Sequence, residues 1–567
     1  MLKWSRLKYP QKSKTTKERD AVSRIPGNAL DSYEQPINGR LEDTIALVKK
    51  LLGENDDFVI RPFHVFGQFE AGMLYFENYI DPKTVNEDIL KPLMYVPSHL
   101  EGKTMQSGQL KDVLLKETLY HSRGKMETDL SKIVEGILRG ETAVLVQGLN
   151  EALLIDTRNV DKRSIDQPAT EQVIRGSREG FIEPLGTNLT LLRYRLPTPN
   201  FRVKTMQIGR ITKSKAAVCY IEGIANPALV REVMDRLSAI DIDGVLDVGY
   251  LEQLIEDHNM SPFPQVQNTE RPDKAVASML EGRVAILIDG SPFALIVPSV
   301  FSQFYQTMDD YSERFLIASL IRFVRLVALL FSLIVPSIYV SVISFNPELL
   351  PTEFAVAVAG GRAGVPFPAL IEVLIIEISM EVLREATLRL PQLVGGALSI
   401  VGVLVVGEAA VSAGFASPIT VVVIALATIG SFATPAYNAA TALRMLRFPL
   451  TILAGTFGLY GVMVGLILII NHMLSLKSFG VPYISPVVPG NWQGIKDSLI
   501  RAPLWWMPRR PAQLHTGDPT RLGNTVEAIK QPPSNTLDPV QVGNQRWDSA
   551  DGVSSRDHSD ASNGDSD

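Results

Sequence analysis

Over the first three hundred residues, apolar and polar positions alternate in short runs punctuated by glycine and proline. From about 315 to 475, by contrast, Val, Ile, Leu, Ala and Gly dominate. The first pattern belongs to strands and half-buried helices, the second to helices surrounded by apolar matter. One strand–turn–strand pattern occurs twice. "LRGETAVLVQGLNEALLI" (138–155) aligns without a gap on "LEGRVAILIDGSPFALIV" (280–297), matching Gly140 with Gly282, Gly148 with Gly290 and Leu153 with Leu295. Each reads as a hairpin turning at a glycine. Upstream, "MLYFENYIDPKTVNEDILKPL" (73–93) resembles "VCYIEGIANPALVREVMDRL" (218–237). There a strand runs into Asp-Pro or Asn-Pro, an N-cap and first-turn proline for the next helix. The offsets nearly agree, so the chain predicts two similar α/β lobes, with a cleft between them that could hold a ligand or partner.

Four later segments approach the roughly 20 apolar residues needed to cross a bilayer: about 320–344, 393–413, 416–436 and 449–474. Arg322 and Arg325 open the first and are expected to snorkel to the interface. "PLWWMPRRP" past the last span offers Trp505 and Trp506 as further interface anchors. Four crossings put both ends in the cytoplasm but leave Arg444 and Arg447 outside, whereas five would move the tail outside. The four-span count is adopted. The expected fold class is thus an α/β soluble N-terminal domain of two similar lobes, followed by an all-α polytopic membrane domain. Its divisions are a basic disordered arm (1–40), lobe 1 (41–160), lobe 2 (161–305), a membrane domain (306–490) and a mostly disordered cytoplasmic tail (491–567).

Between the first two spans lies "IEVLIIEISMEVLREATLRL" (371–390), part of a charged amphipathic helix over 369–390. On a helical wheel Glu377, Glu381, Arg384 and Glu385 share an arc of about 100°. Glu381–Arg384 and Glu385–Arg389 fall at i,i+3 and i,i+4. A charge at mid-bilayer costs on the order of 3 kcal/mol, so this stripe does not face lipid. Two homes remain: the interface, with the charges in water, or a water-lined path in which glutamates repeat as a ring around an oligomer. Glu408, inside the second span, adds weight to a polar interior.

Composition removes other classes. The net charge of −6 averages three different surroundings and says little about partners. The single cysteine, Cys219, excludes an internal disulfide and reads as a buried strand residue. "EGKTMQSG" (101–108) has Pro97 where a phosphate loop needs its first glycine. Seven scattered histidines show no metal-ligand spacing, and neither a nucleophile elbow nor a dinucleotide turn is present. No enzyme, cofactor, metal or nucleic-acid partner is expected. The N-terminus is basic without an apolar core, so a secretory signal is not expected and the N-terminal half is assigned to the cytoplasm. The basic arm would be solvated or would brush anionic lipid.

"SREGFIEPLGTNLTLLRYRL" (177–196), "ILIDGSPFALIVPSVFSQFYQTMDDYSERF" (286–315), "PFPALIEVLIIEISMEVLREATLRLP" (366–391) and "VPYISPVVP" (481–489) resemble the A subunit of GerA-type spore germinant receptors. The resemblance spans roughly 45–490. It implies a multi-pass protein of the bacterial spore inner membrane, assembled with a transporter-like B subunit and a lipoprotein C subunit. It also implies a homo-oligomer, a pentamer, that releases monovalent cations when germinant binds. Carried onto this sequence, Glu377, Glu381, Arg384 and Glu385 become the pore candidates. The alternative is a non-conducting scaffold that recruits cytoplasmic partners.

Overall fold

The computed structural model describes residues 30, 35–96, 110–111, 113–114, 124–159, 167–388 and 407–523. Lobe 1 contains α1 (Leu41–Leu52), β1 (Phe58–Val65), β2 (Phe69–Phe76), β3 (Gly124–Glu127), α2 (Leu130–Leu138), β4 (Glu141–Val146) and β5 (Ala152–Asp156). After α3 (Leu185–Arg195), lobe 2 contains β6 (Phe201–Ile208), β7 (Ser214–Ile221), α4 (Pro227–Ser238), α5 (Val248–Ile255), β8 (Gln267–Thr269), α6 (Pro272–Leu280), β9 (Val284–Ile288) and β10 (Ala294–Val297). The two five-stranded antiparallel sheets have the same order, β1-β2-β4-β5-β3 and β6-β7-β9-β10-β8. The repeated motif therefore reflects a repeated topology. In β4–β5 Ala143 faces Leu154, and in β9–β10 the aligned Ala285 faces Ile296. Gly140 and Gly282 have φ of 90° and 102°, Gly148 and Gly290 of 88° and 90°. Side-chain-bearing residues are strained there, which is why glycine recurs at both matched positions. Asp81 and Asn226 cap the following helical turns as expected, accepting from Lys83 and Ala228 backbone N–H groups.

The expected cleft is bridged rather than open. Arg193 of α3 reaches Asp57 of lobe 1 at 2.5–2.6 Å, with both side chains at least 96% buried. Its guanidinium lies 3.7 Å from the Phe76 ring centroid. A bidentate, stacked arginine of this kind fixes one relative placement of the lobes. The expected arm also ends earlier than residue 40. Ile37 is part of the lobe 1 core, and its N–H donates to Thr128. Residues 1–29 and 31–34 lie outside the described residues.

The helical region comprises α7 (Phe315–Phe345), α8 (Thr352–Arg362), α9 (Ala369–Leu388), α10 (Pro418–Phe432) and α11 (Tyr437–Ser475). α7 and α11 are long and apolar enough to cross a membrane. The segment expected as one helix over 449–474 is broken: Gly458 has φ 63° and ψ −147°. A straight helix would separate residues 450 and 465 by about 22 Å. Instead, a Cβ at Gly465 would strike Leu450 and Leu453, so the limb after Gly458 folds back along the limb before it. A glycine-lined seam permits that approach.

Side-chain pairs set the helix directions. The first limb of α11 runs parallel to α7, with Arg447 beside Ser332, Thr451 beside Ser337 and Gly458 beside Phe345. α10 is antiparallel to α7, with Thr420 beside Tyr339 and Gly430 against Ala328. The expected span over 393–413 falls mostly outside the described residues. The chain then returns to lobe 2, where β11 (Lys477–Ser478) and β12 (Val481–Pro482) precede α12 (Trp492–Ser498). Tyr483 packs among Phe263, Phe301 and Phe304. Within the segment expected as a mostly disordered tail, the Asp497 carbonyl accepts from Gln306, Arg501 donates to the Asp310 carbonyl and Arg510 donates to the Leu280 carbonyl, while 524–567 lie outside the described residues.

Candidate functional site

The apolar bundle encloses a ladder of charges along α9. This helix runs antiparallel to the first limb of α11, with Leu370 against Gly455, Glu377 by Arg447 and Glu381 by Arg444. Its hydrophobic positions fall on two sides. Val373 and Ile376 are buried, while Ile371, Ile375, Ile378 and Val382 are 40–65% exposed. The acidic positions between them therefore turn inward.

The ladder begins where α8 meets α9. Glu372 is fully buried, lies 3.4 Å from Arg362, and accepts a 2.6 Å hydrogen bond from the Ser417 N–H. Five residues on, Glu377 is fully buried and 3.0 Å from Arg447, itself 1% exposed. The angle of that approach leaves both Glu377 oxygens without a hydrogen bond. An ion pair at this separation without hydrogen bonds holds by charge alone, which is costly in a dry interior. Glu381 is shared by charge: one oxygen accepts a hydrogen bond from Arg384 at 2.8 Å and lies 3.3 Å from Arg444 and 3.9 Å from Arg447. Arg384 also lies over the Phe432 ring and Arg444 over that of Tyr437. Three guanidinium groups thus surround two carboxylates, a net +1 (3 − 2) at this level.

Of the five sequence candidates, Glu377, Glu381 and Arg384 meet in this cluster. Glu385 and Glu408 are exposed. Sequence reasoning missed Arg444, Arg447, Arg362 and the role of Glu372. The signal was present in "RMLRFP", two arginines three residues apart beside an apolar run, which reading by orientation alone treated as a flank.

A second charged cluster joins the bundle to the end of lobe 2, where Arg325 donates to the Tyr305 carbonyl at 2.6 Å. Asp310 is 2% exposed and receives Arg322 at 3.1 Å and Arg325 at 3.2 Å. Asp497 of α12 adds a contact to Arg322 at 3.3 Å and accepts from the Tyr311 hydroxyl at 2.9 Å. Burial and the Asp497 carboxylate push the Tyr311 phenol well above its usual pKa. Arg501 donates to the Asp310 carbonyl at 3.1 Å. Arg322 and Arg325 are therefore not the exposed interface anchors expected: Arg322 is fully buried, and both spend their charge on Asp310. Trp505 and Trp506 remain outward, 41% and 58% exposed, with Trp505 edge-on to Phe315 at the start of α7. Among the described residues, no group of His, Cys, Asp and Glu is arranged to hold a metal.

Paired α/β lobes, tied by a buried hub of charge to an apolar bundle with its own internal ion pairs, define a class of protein in which a polar domain is joined to an apolar one. The chain belongs to the GerA family: residues 46–513 match the model of the Bacillus/Clostridium GerA spore germination protein. Spore germination protein KA of Bacillus subtilis (strain 168) is 40% identical over 489 residues, covering 86% of this chain and 89% of that protein. Spore germination protein GerLA of Bacillus cereus is 37% identical, covering 85% and 97%. The N-terminal domain of the A subunit of the Bacillus megaterium spore germinant receptor GerK3 aligns at 31% identity over 47% of this chain and 98% of that one, with a TM-score of 0.37.

Proposed function

We propose that the protein is an A-type subunit of a nutrient germinant receptor in the spore inner membrane, working with a transporter-like B subunit and a lipoprotein C subunit. On this reading α7, α9, the span expected over 393–413, α10 and both limbs of α11 make six crossings, an even number that keeps the lobes and tail together on the cytoplasmic side. α9 is about 30 Å long at 1.5 Å per residue, the thickness of a hydrocarbon core. The chain oligomerises, as a pentamer, around a path for monovalent cations that opens when germinant binds.

The observation that supports this reading is the Glu377–Arg447 pair, buried and short of hydrogen bonds inside the bundle. A fixed scaffold gains nothing from such a pair, because well-packed apolar residues serve stability as well or better. A switch does gain, because moving α11 against α9 by one turn exchanges partners and changes which charges face water. Germinant shifts that equilibrium only through a difference in affinity for the two arrangements. The net +1 at the Glu381 level repels cations, so this arrangement is the closed one.

That same net charge also favours a second reading, a non-conducting scaffold that recruits cytoplasmic partners. The two readings part on one experiment in assembled receptors. Arg447→Gln leaves Glu377 buried and unpaired, at a cost of about 3–5 kcal/mol to the closed arrangement. The gate reading expects monovalent cation release without germinant, reversed by adding Glu377→Gln. Unchanged release in both variants, at normal membrane levels of the receptor, would favour the scaffold.

A further inference from the structure

Outward-facing large apolar side chains on a water-facing domain mark a surface that something covers. Lobe 2 carries such a face on α5 and the residues that flank it. Leu246, Tyr250 and Leu254, spaced by four residues, are 66%, 45% and 46% exposed, and Met260 just beyond is 97% exposed. The opposite side of α5 is already used, with Val248, Leu251 and Ile255 buried in the lobe core. A spacing of four keeps Tyr250 and Leu254 on one helical face, with Leu246 just before the cap Asp247.

The charge around this row has one sign. Residues 241–260 contain six Asp or Glu and no Lys or Arg. Two of the acids are neutralised from other elements: Asp241 pairs with Arg210 and Asp257 with Arg236. Asp247 caps α5, and Glu256 accepts from the Gln265 N–H. Glu252 is left among like charges. Burial, then Glu256 and Asp247, push its carboxyl up to about 7. Asp243 and Asp247, both exposed, stand beside Leu246 at the start of the row, so the face presents apolar side chains next to carboxylates that a cation would stabilise.

We propose that this face docks the basic N-terminal arm of the chain, residues 1–29. The arm has the complementary composition: eight Lys or Arg against two acids, net +6 (8 − 2), with Leu2, Trp4, Leu7 and Tyr9 interleaved among Lys3, Arg6 and Lys8. Extended, 29 residues reach roughly 100 Å from Leu30, ample for a face elsewhere on the soluble lobes. Apolar side chains of the arm cover Leu246, Tyr250 and Leu254, while its cations lie against Asp243 and Asp247.

The test uses the full chain in neutral-lipid nanodiscs. Cys219 is fully buried in β7 and its thiol is pushed far up by burial, so it stays unlabelled. Ser5→Cys then carries a benzophenone maleimide as the only photoprobe. Cross-links are expected to concentrate on residues 246–260 and to fall roughly tenfold in Leu246→Ser/Leu254→Ser, whose exposed positions leave folding intact. Reversing the arm with Lys3→Glu/Arg6→Glu/Lys8→Glu should lower them similarly. Cross-links spread over other surfaces, captured mainly by lipid once anionic vesicles are used, or unchanged in the Leu246/Leu254 variant would overturn the proposal. A cross-link from one copy's arm to this face on another copy, read with differently tagged copies, supports it.

Discussion

Individual side chains decide most where they are buried and charged. Glu252 is a clear case outside the helical bundle. Its folded pKa, about 7, lies above the ordinary carboxylate value of 4.5 because of burial and two neighbouring acids. Between those values the folded protein binds more protons than the unfolded chain, so stability falls as pH rises through this window. Glu252→Gln removes that dependence. The variant is expected to be more stable than the parent at pH 8 and equal to it near pH 4, as read from urea midpoints at the two values. A midpoint difference of the same size at both pH values would show that Glu252 does not titrate in this window. The cysteine reading was right for a local reason: Cys219 lies in an apolar strand pattern that the sequence displays directly. The fate of Arg322 and Arg325 was not legible. Their acidic partners, Asp310 and Asp497, look like ordinary surface residues until the fold brings them together.

Among the elements, the hairpins were the most legible and α11 the least. A hairpin announces itself within eighteen residues, because its turn glycine and flanking strands are adjacent in sequence. The repeat then doubled the signal, and both turn glycines have the positive φ the pattern required. Gly458 sits instead in an unbroken apolar run, "LAGTFGLYGVMVGL", where glycine reads as a packing residue. Its left-handed φ is a tertiary fact, held by the second limb folding back. Gly458→Ala should therefore cost about 1–3 kcal/mol for that backbone conformation, with more from the Phe345 side chain 3.1 Å from the new Cβ. Gly360→Ala, in a helix with open space around it, is the control and should be neutral or slightly stabilising. Melting in detergent checks both. Equal midpoints would mean that α11 does not keep its break there. The acidic stripe of α9 was visible on a helical wheel, but its direction was not. Which way a charged face turns depends on Arg444 and Arg447, some sixty residues later.

At the level of the whole molecule, both ends of the helical region return to lobe 2. The start of α7 is held through Asp310 and the Tyr305 carbonyl, and the tail through Asp497, Arg501 and the Ser498 carbonyl, which accepts from the Tyr305 hydroxyl. α8 and the Gly458 turn lie at the other end of the bundle, beside Arg362 and Phe345. On the membrane-spanning reading, that places Glu353 and Arg509 on opposite sides. Glu353→Cys and Arg509→Cys, each labelled in sealed vesicles with a membrane-impermeant maleimide, are expected to react from opposite faces. Labelling of both from one face would contradict the crossing pattern. The fold class was legible at this scale because composition changes sharply near residue 315. The closure of the chain on itself was not, since it rests on contacts across about 180 residues.

That closure has a consequence for the order in which the molecule matures. Arg322 and Asp310 leave the ribosome early, but Asp497 follows Arg322 by 175 residues. At 5–20 residues per second, the gap is on the order of 10–35 s. Throughout it, the joint between lobe 2 and the first helix holds two arginines on a single aspartate, and the Tyr311 hydroxyl lacks its acceptor. The lobes can be complete and the first helix in place while the joint is still half built. Docking of the tail is therefore the closing step of assembly, and a chain shortened before residue 497 would carry intact lobes on an unfinished hinge.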